Sequence, residues 1–209
     1  MHNTYFFLFL IKFNMKKILL ILLIFTLFYF INIKADVSLN YKININYPVT
    51  EYKKLNKKIN KKIDYYQNLF FKEIKDSDII IYDYYTLFIN YESYTYKNIL
   101  SYVFFIEYFV GGAHPNHFIF TINYDTVNNY FITSINNIKE ISDYCRKELI
   151  KDKRIVNTSM LYDGTKPNKE NFKNFVFTNN GYIFYFERYQ VAPYSSGDIS
   201  LIVPYNLKF

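Results

Sequence analysis

The sequence is short of the residues that several protein classes need. It has one cysteine, five glycines, five prolines and no tryptophan in 209 residues. A single cysteine excludes an intramolecular disulfide and therefore the small secreted domains that depend on one. The signatures G-x-S-x-G, G-x-G-x-x-G, H-E-x-x-H and the P-loop are also absent. We therefore expect no cofactor, no bound metal and no common catalytic mechanism.

The positive charge is concentrated at the amino terminus. The net charge is +7, but the first 35 residues contain four lysines and no acidic residue. The remainder carries 21 basic and 18 acidic side chains, a balance of +3. Because binding to nucleic acid depends on a strong basic surface, this balance predicts no nucleic-acid partner.

An apolar run near the start predicts export. Residues 18–33 are 16 uncharged, mainly apolar residues that follow Lys16-Lys17 and precede Lys34-Ala35. A basic start, an apolar middle and a small residue at the cut site are typical of a signal peptide. A membrane-spanning helix needs about 20 apolar residues, so the favoured interpretation is cleavage after Ala35. Retention as an anchor is the alternative, and it would be the chain's only membrane contact. Met15 is a second possible start.

Residues 36–209 are predicted to form one exported domain in the periplasm, on the cell surface or secreted. Apolar residues at three- and four-residue steps predict a helix over residues 49–74 and a second over 138–151, with Cys145 on its buried stripe. Alternating patterns predict strands over residues 37–47, 78–96, 99–110, 117–125, 130–133, 172–178, 182–189 and 199–203. Residues 152–170 are predicted to be a loop. Hairpin signals without regular βαβ alternation favour an α+β fold, an antiparallel sheet with two main helices packed on one face.

The first helix carries a basic face. Its lysines are Lys53, Lys54, Lys57, Lys58, Lys61 and Lys62. The simplest interpretation is a solvated surface. The alternative is contact with an anionic polymer or a membrane surface, because six like charges on one face repel each other unless a partner offsets them.

The stretch Val110 to His117 contains two of the five glycines and two of the three histidines. Gly111, Gly112 and Pro115 mark a sharp backbone path, which is either a connection between strands or a site. His114 and His117 could bind a metal together with Asp125 or Glu107. We favour no metal, because Pro115 prevents the regular helix that would place both rings on one face.

A hydrolase is the alternative to a binding protein. Glu107 and Glu187 each lie within an aromatic strand, and His114 is a further candidate acid or base. The sequence does not show whether any two of them approach each other.

Several motifs together resemble a known family. They are Tyr47-Pro48, Gly-Gly-Ala-His-Pro-Asn at residues 111–116, Phe-x-Phe-x-x-x-Gly-x-x-Phe-x-Phe at residues 175–186, Tyr-x-Val-Ala-Pro-Tyr-x-x-Gly at residues 189–197, and Val-Pro-Tyr at residues 203–205. This order resembles the extracytoplasmic domain of lysozyme-sensing anti-sigma-V factors, which also precedes the catalytic module of some peptidoglycan deacetylases. The resemblance implies a one-domain α+β fold outside the bacterial cytoplasm, with a lysozyme-like protein or peptidoglycan as partner.

The resemblance has limits. At most 17 residues precede the apolar run, so we do not expect this chain to hold a sigma factor. No deacetylase module follows, so deacetylase chemistry is not transferred. We therefore predict a non-enzymatic envelope binding module; a small hydrolase or a purely structural envelope protein are the alternatives. The predicted binding edge consists of Gly111, Gly112, His114, Pro115, Asn116, Tyr189, Pro193, Tyr194 and Gly197.

Overall fold

The fold is α+β, with two sheets rather than one. The computed structural model describes residues 41–76 and 85–207, so the predicted signal peptide and the first parts of two predicted strands lie outside the described residues. The elements are β1 (Tyr41–Ile45), α1 (Lys53–Asp76), β2 (Tyr85–Tyr96), β3 (Ile99–Phe109), β4 (Asn116–Asp125), β5 (Tyr130–Ile132), α2 (Ile138–Leu149), α3 (Thr158–Gly164), β6 (Phe175–Thr178), β7 (Gly181–Phe186), a 3-10 turn (Tyr194–Ser196) and β8 (Ile199–Val203).

The first five strands form a mixed sheet in the order β1-β2-β3-β4-β5. The pairs from β2 to β5 are antiparallel, and β3 is central, as its apolar faces predicted. The pair β1 and β2 is parallel, which corrects the prediction of an all-antiparallel sheet. Parallel neighbouring strands need a crossover connection, and α1 lies in the connection between β1 and β2. These three elements therefore make one βαβ unit. The alternation of apolar residues in the two strands did not reveal it.

Helix α1 packs on this sheet through its predicted apolar stripe. The buried residues are Leu55, Ile59, Ile63, Tyr66, Phe70 and Ile74, at three- and four-residue steps. Tyr66 stacks on Phe120 of β4 with ring centroids 5.8 Å apart. Val49 is outside the stripe, because it precedes the helix and is exposed.

Strands β6, β7 and β8 form a separate antiparallel sheet. One face contacts the five-stranded sheet, where Val176 and Tyr185 pack with Val103 and Ile119. The opposite face buries Phe175, Phe184 and other rings against α2 and α3. The helices therefore cover different sheets, which corrects the prediction that both main helices share one face. Apolar and polar residues alternate along a strand in the same way whether the strands form one sheet or two. The sequence therefore could not show that there are two sheets.

The segment predicted as a loop contains a helix. Asn157 begins α3 by accepting a hydrogen bond from the Met160 amide at 3.2 Å, and Leu161 is buried in the core beside α2. Only two of its seven residues are buried, so the helix is too short for a clear periodic signal. Cys145 is fully buried on α2, and burial raises the pKa of its thiol to about 12. Of the helices within the described ranges, none has the length and apolar character needed to cross a membrane.

Candidate functional site

Two chain connections from different sheets meet at one surface. The first, residues 110–115, joins β3 to β4, and the second, residues 187–198, joins β7 to β8. Gly111 and Gly112 have φ values of 112° and 109°, which residues with a Cβ atom rarely adopt. A Cβ atom on Gly112 would meet nothing within 4 Å, so the backbone path, not lack of space, requires glycine there.

Three aromatic side chains connect the two segments. The rings of His114 and Tyr194 stack with centroids 3.9 Å apart and planes 19° apart. The Tyr189 hydroxyl lies 3.2 Å from His114 Nε2, and its ring centroid is 5.7 Å from that of Tyr194. We call His114, Tyr189 and Tyr194 the aromatic cluster. The predicted pairing of the two motifs therefore corresponds to direct contact in space.

The Pro115 carbonyl oxygen holds the cluster together. It accepts a hydrogen bond from the Tyr194 hydroxyl at 2.8 Å and another from His114 Nδ1 at 2.9 Å. Because a carbonyl can only accept, Nδ1 of His114 carries the proton. In the neutral ring Nε2 then accepts from the Tyr189 hydroxyl. This tautomer follows from the hydrogen bonds and orients the imidazole.

Tyr189 is held in an unusual backbone conformation. Its φ is 68°, and 57% of its surface is exposed. Bulky residues with positive φ are rare, because the Cβ atom approaches the backbone, and they occur often at functional sites. The neighbouring Gln190 anchors the segment: its side chain donates to the carbonyls of Gly164 and Asn171 at 3.0 and 2.8 Å. The fold therefore holds an exposed ring in a costly conformation.

Charged side chains that the sequence did not single out support the cluster. Arg188 lies over the Tyr194 ring, 4.3 Å from its centroid, and its Nε is 3.3 Å from Asp198 Oδ1. His117 Nε2 lies 3.3 Å from the same oxygen. The hydrogen bond from His117, followed by that from Arg188, lowers the pKa of Asp198 although burial opposes the shift. The only signal available in the sequence was the position of Arg188 and Asp198 beside the predicted motif.

Asp198→Asn is expected to make the stability of the domain less dependent on pH in the acidic range. Because the folded-state pKa of Asp198 is lowered, its stabilising contribution is fully present above the ordinary value of about 3.9 and is lost as pH falls through the folded-state value. Thermal unfolding followed from about pH 2 to pH 6 should therefore show a steeper loss below about pH 4 for the wild type than for the variant. Asp64→Asn, which alters an exposed aspartate of α1, serves as the control. Equal slopes for wild type and Asp198→Asn would contradict the role of this carboxylate.

Other predicted residues have different surroundings. The Asn116 side chain donates to Glu73 of α1 at 3.5 Å and so lies outside the aromatic cluster. Pro193 and Gly197 flank the 3-10 turn, where Gly197 has a φ of 72°. These two residues set the backbone path of the connection between β7 and β8.

The candidate acids and metal ligands are dispersed. Glu187 accepts a hydrogen bond from Asn174 at 3.2 Å and lies 3.7 Å from Lys173, while Glu107 is the cross-strand neighbour of His117. His114 belongs to the aromatic cluster, whereas the His117 side chain is 4% exposed and pairs with Asp198. Within residues 41–76 and 85–207, no group of three or more His, Cys, Asp or Glu side chains is placed to hold a metal ion.

The predicted basic face forms a groove. Its cavity of about 500 Å³ is lined by Lys54, Lys57, Lys58, Lys61 and Lys62 of α1 with Tyr65 and Phe131, and we call it the lysine groove. Lys53 lines the adjoining surface with Lys57 and Lys61. Lys58 Nζ lies 4.6 Å from the centroid of the Phe131 ring. The role of Phe131 could not be read from the sequence, because it comes from β5, far along the chain.

Two protein-family models match this chain. Residues 35–117 match the family described as Deacetylase PdaC, and residues 128–206 match Protein of unknown function (DUF3298). The peptidoglycan-N-acetylmuramic acid deacetylase PdaC of Bacillus subtilis strain 168 is 31% identical over 78% of this chain. The match covers 37% of PdaC, so the chain spans little more than a third of that relative.

A solved structure has the same fold. The crystal structure of a DUF3298 family member from Bacteroides fragilis NCTC 9343 superimposes with a TM-score of 0.52 at 19% identity, covering 80% of this chain and 82% of that one. The resemblance to domains of peptidoglycan deacetylases is thus confirmed, whereas the relation to anti-sigma-V factors stays a prediction. Together these matches support a DUF3298 family domain in this chain, related in sequence to part of the deacetylase PdaC.

Proposed function

We propose that this chain is a non-enzymatic binding module of the bacterial envelope whose aromatic cluster contacts a cell-wall glycan. The observation that carries the proposal is Tyr189, an exposed ring held at a φ of 68° beside the stacked pair of His114 and Tyr194. A fold that maintains such a costly conformation at its surface is expected to use it for recognition.

The chemistry of the cluster suits a sugar. A pyranose ring offers an apolar C–H face with hydroxyl groups at its edge. A tyrosine ring offers the matching combination of an apolar face and a polar hydroxyl. Arg188, which lies over Tyr194, adds a positive charge for polar substituents.

Similarity to PdaC supports the location and the ligand class. The name of that relative states that it acts on the N-acetylmuramic acid of peptidoglycan. A related domain in this chain, with a predicted signal peptide or anchor in residues 1–35, supports export to the same compartment. We infer that the shared region serves attachment to the wall polymer and not the deacetylation itself.

The geometry favours binding over hydrolysis. His114 has both ring nitrogens engaged, one by the Pro115 carbonyl and the other by Tyr189. Glu187 contacts Asn174 and Lys173 through Oε1. A general acid or base must reach the substrate with a free proton or lone pair, and the His114 ring offers none without rearrangement.

Calorimetric titration of the purified full chain with soluble peptidoglycan glycan fragments tests the proposal. We expect saturable binding without release of acetate or new reducing ends. Tyr189→Ala and Tyr194→Ala should each weaken binding by about fivefold or more, because aromatic anchors at a binding centre contribute over about 1 kcal/mol each. Tyr130→Ala is the matched control, since it removes a similarly exposed tyrosine from β5.

Three results would overturn the proposal. Glycan binding that survives the double variant Tyr189→Ala/Tyr194→Ala would remove the site. Product release that is lost in Glu107→Gln, Glu187→Gln or His114→Ala would make the chain an enzyme. Binding of lysozyme, but not of glycan, would replace the ligand by a protein.

A further inference from the structure

The lysine groove carries positive charge that the fold leaves unpaired. None of the ion pairs found between described residues includes Lys54, Lys57, Lys58, Lys61 or Lys62. Lys173, which pairs with Glu187 at 3.7 Å, lines the adjoining cavity of about 100 Å³ together with Lys58 and Phe131. Like charges this close destabilise each other unless an anion offsets them.

Burial and charge repulsion both act on Lys62. The pKa of Lys62 is lowered, first by burial and then by the charges of Lys58, Lys173 and Lys61. A bound anion would offset these neighbouring charges. The groove thus has a physical reason to take up negative charge from outside the chain.

Two aromatic rings contact the ammonium groups of three groove lysines. Lys54 and Lys58 lie 5.6 and 4.6 Å from the centroid of Phe131, and Lys62 lies 5.6 Å from that of Phe120. The four-residue spacing places these three lysines on one side of α1, and the cation–π contacts hold their ammonium groups against the rings. At the helical rise they extend over about 12 Å, with a step of about 6 Å. The row is therefore linear and periodic.

We propose that the lysine groove binds a linear polymer with repeating phosphate groups, at a surface that shares no residue with the aromatic cluster. The row of cations matches a row of anions. The groove is lined by lysines, and lysine binds phosphate as a point charge, without the two-point geometry that the planar arginine fork imposes on its partner.

The shape of the surface favours a polymer over a bilayer. The lysines line a concavity between α1 and β5, and a flat membrane would touch only its rims. Phe131, the ring that could insert among lipid chains, is covered by Lys54 and Lys58. A flexible chain can enter the groove and contact the lysines along α1.

The test uses the full chain and poly(glycerol phosphate), with neutral dextran as the uncharged polymer. We expect binding to the phosphate polymer at low salt that weakens steeply as sodium chloride is added. The triple variant Lys54→Gln/Lys58→Gln/Lys62→Gln should bind about 100-fold more weakly, because each lysine near an anionic surface contributes about fivefold. Glutamine and lysine have similar helix propensities, so α1 is retained.

The control variant removes the same charge elsewhere. Lys139→Gln/Lys147→Gln/Lys169→Gln alters three exposed lysines outside the groove. At about 0.1 M salt, where the Debye length is about 10 Å and distant exposed charges are largely screened, it should bind the polymer within about twofold of wild type. Equal losses in both triple variants, binding to phosphatidylglycerol vesicles without binding to the polymer, or no binding at low salt would each overturn the proposal. Tyr194→Ala should leave polymer binding unchanged, which separates this site from the proposed glycan site.

Discussion

Phe104→Ala is expected to lower the free energy of unfolding by about 4 kcal/mol, the largest effect of any single change considered for this chain. Phe104 is fully buried on the central strand β3 and stacks on Phe120 with centroids 4.4 Å apart. Phe120 stacks in turn on Tyr66 of α1. Removing the first ring leaves a cavity within the stack that joins the helix to the sheet, and the rigid neighbouring strands cannot close it.

Equilibrium unfolding in urea measures this loss. Tyr130→Ala is the control, because its ring is 48% exposed at the edge strand β5, and we expect a change below about 1 kcal/mol. The urea dependence of the free energy should be similar for both variants and the wild type, since the unfolded chain exposes nearly the same surface. A loss of stability from Phe104→Ala no larger than that from Tyr130→Ala would contradict the role of the Phe104 ring in packing α1 against the sheet.

Gly164→Ala is expected to destabilise the domain by about 3 kcal/mol, at the upper end for an overpacked site. A Cβ atom on Gly164 would overlap the Gln190 carbonyl oxygen and would lie 2.9 Å from Val191 Cγ1. The oxygen belongs to the backbone, so no rotamer change relieves the contact. The Gln190 side chain also donates to the Gly164 carbonyl. The substitution must therefore push α3 away from the segment that carries Tyr189.

Urea unfolding again gives the magnitude, and glycan titration gives the local consequence. Ser159→Ala on the same helix is the control; Ser159 is exposed, and alanine favours a helix slightly. We expect Gly164→Ala to weaken glycan binding as well, because Tyr189 adjoins the displaced Gln190. Unchanged stability in Gly164→Ala would show that the segment from Glu187 to Val191 moves freely, and it would remove the argument that Tyr189 is held under strain.

The periodic elements were readable from the sequence because burial has a fixed period in each. The stripe from Leu55 to Ile74 predicted α1 and its buried face. Strand β8 was predicted with the bounds that the structure has, Ile199–Val203, and the burial of Cys145 followed from its place on the α2 stripe. Helix α3 was missed, since seven residues provide too few turns for a period to show.

The arrangement of these elements was harder to predict. A strand pattern reports which side chains are buried and not which strand lies alongside, so the parallel pairing of β1 with β2 was missed. For the same reason, the sequence did not show that the strands form two sheets or that α1 and α2 pack on different sheets. The contacts of His117 and Arg188 with Asp198 bring together residues from β4 and from the connection before β8. No pattern of residue spacing along the chain predicts a contact between separate elements such as that of His117 with Asp198.

By itself the sequence determined helices α1 and α2, the presence of the strands, the buried stripes, the need for glycine at residues 111 and 112, and the lysine-rich face of α1. These depend on interactions within a few residues of chain. Only the tertiary structure decided that His114 stacks on Tyr194, that His117 pairs with Asp198 and that Lys58 lies over the Phe131 ring. Those contacts join residues about 70 or more positions apart, and their geometry exists only once the sheets have packed.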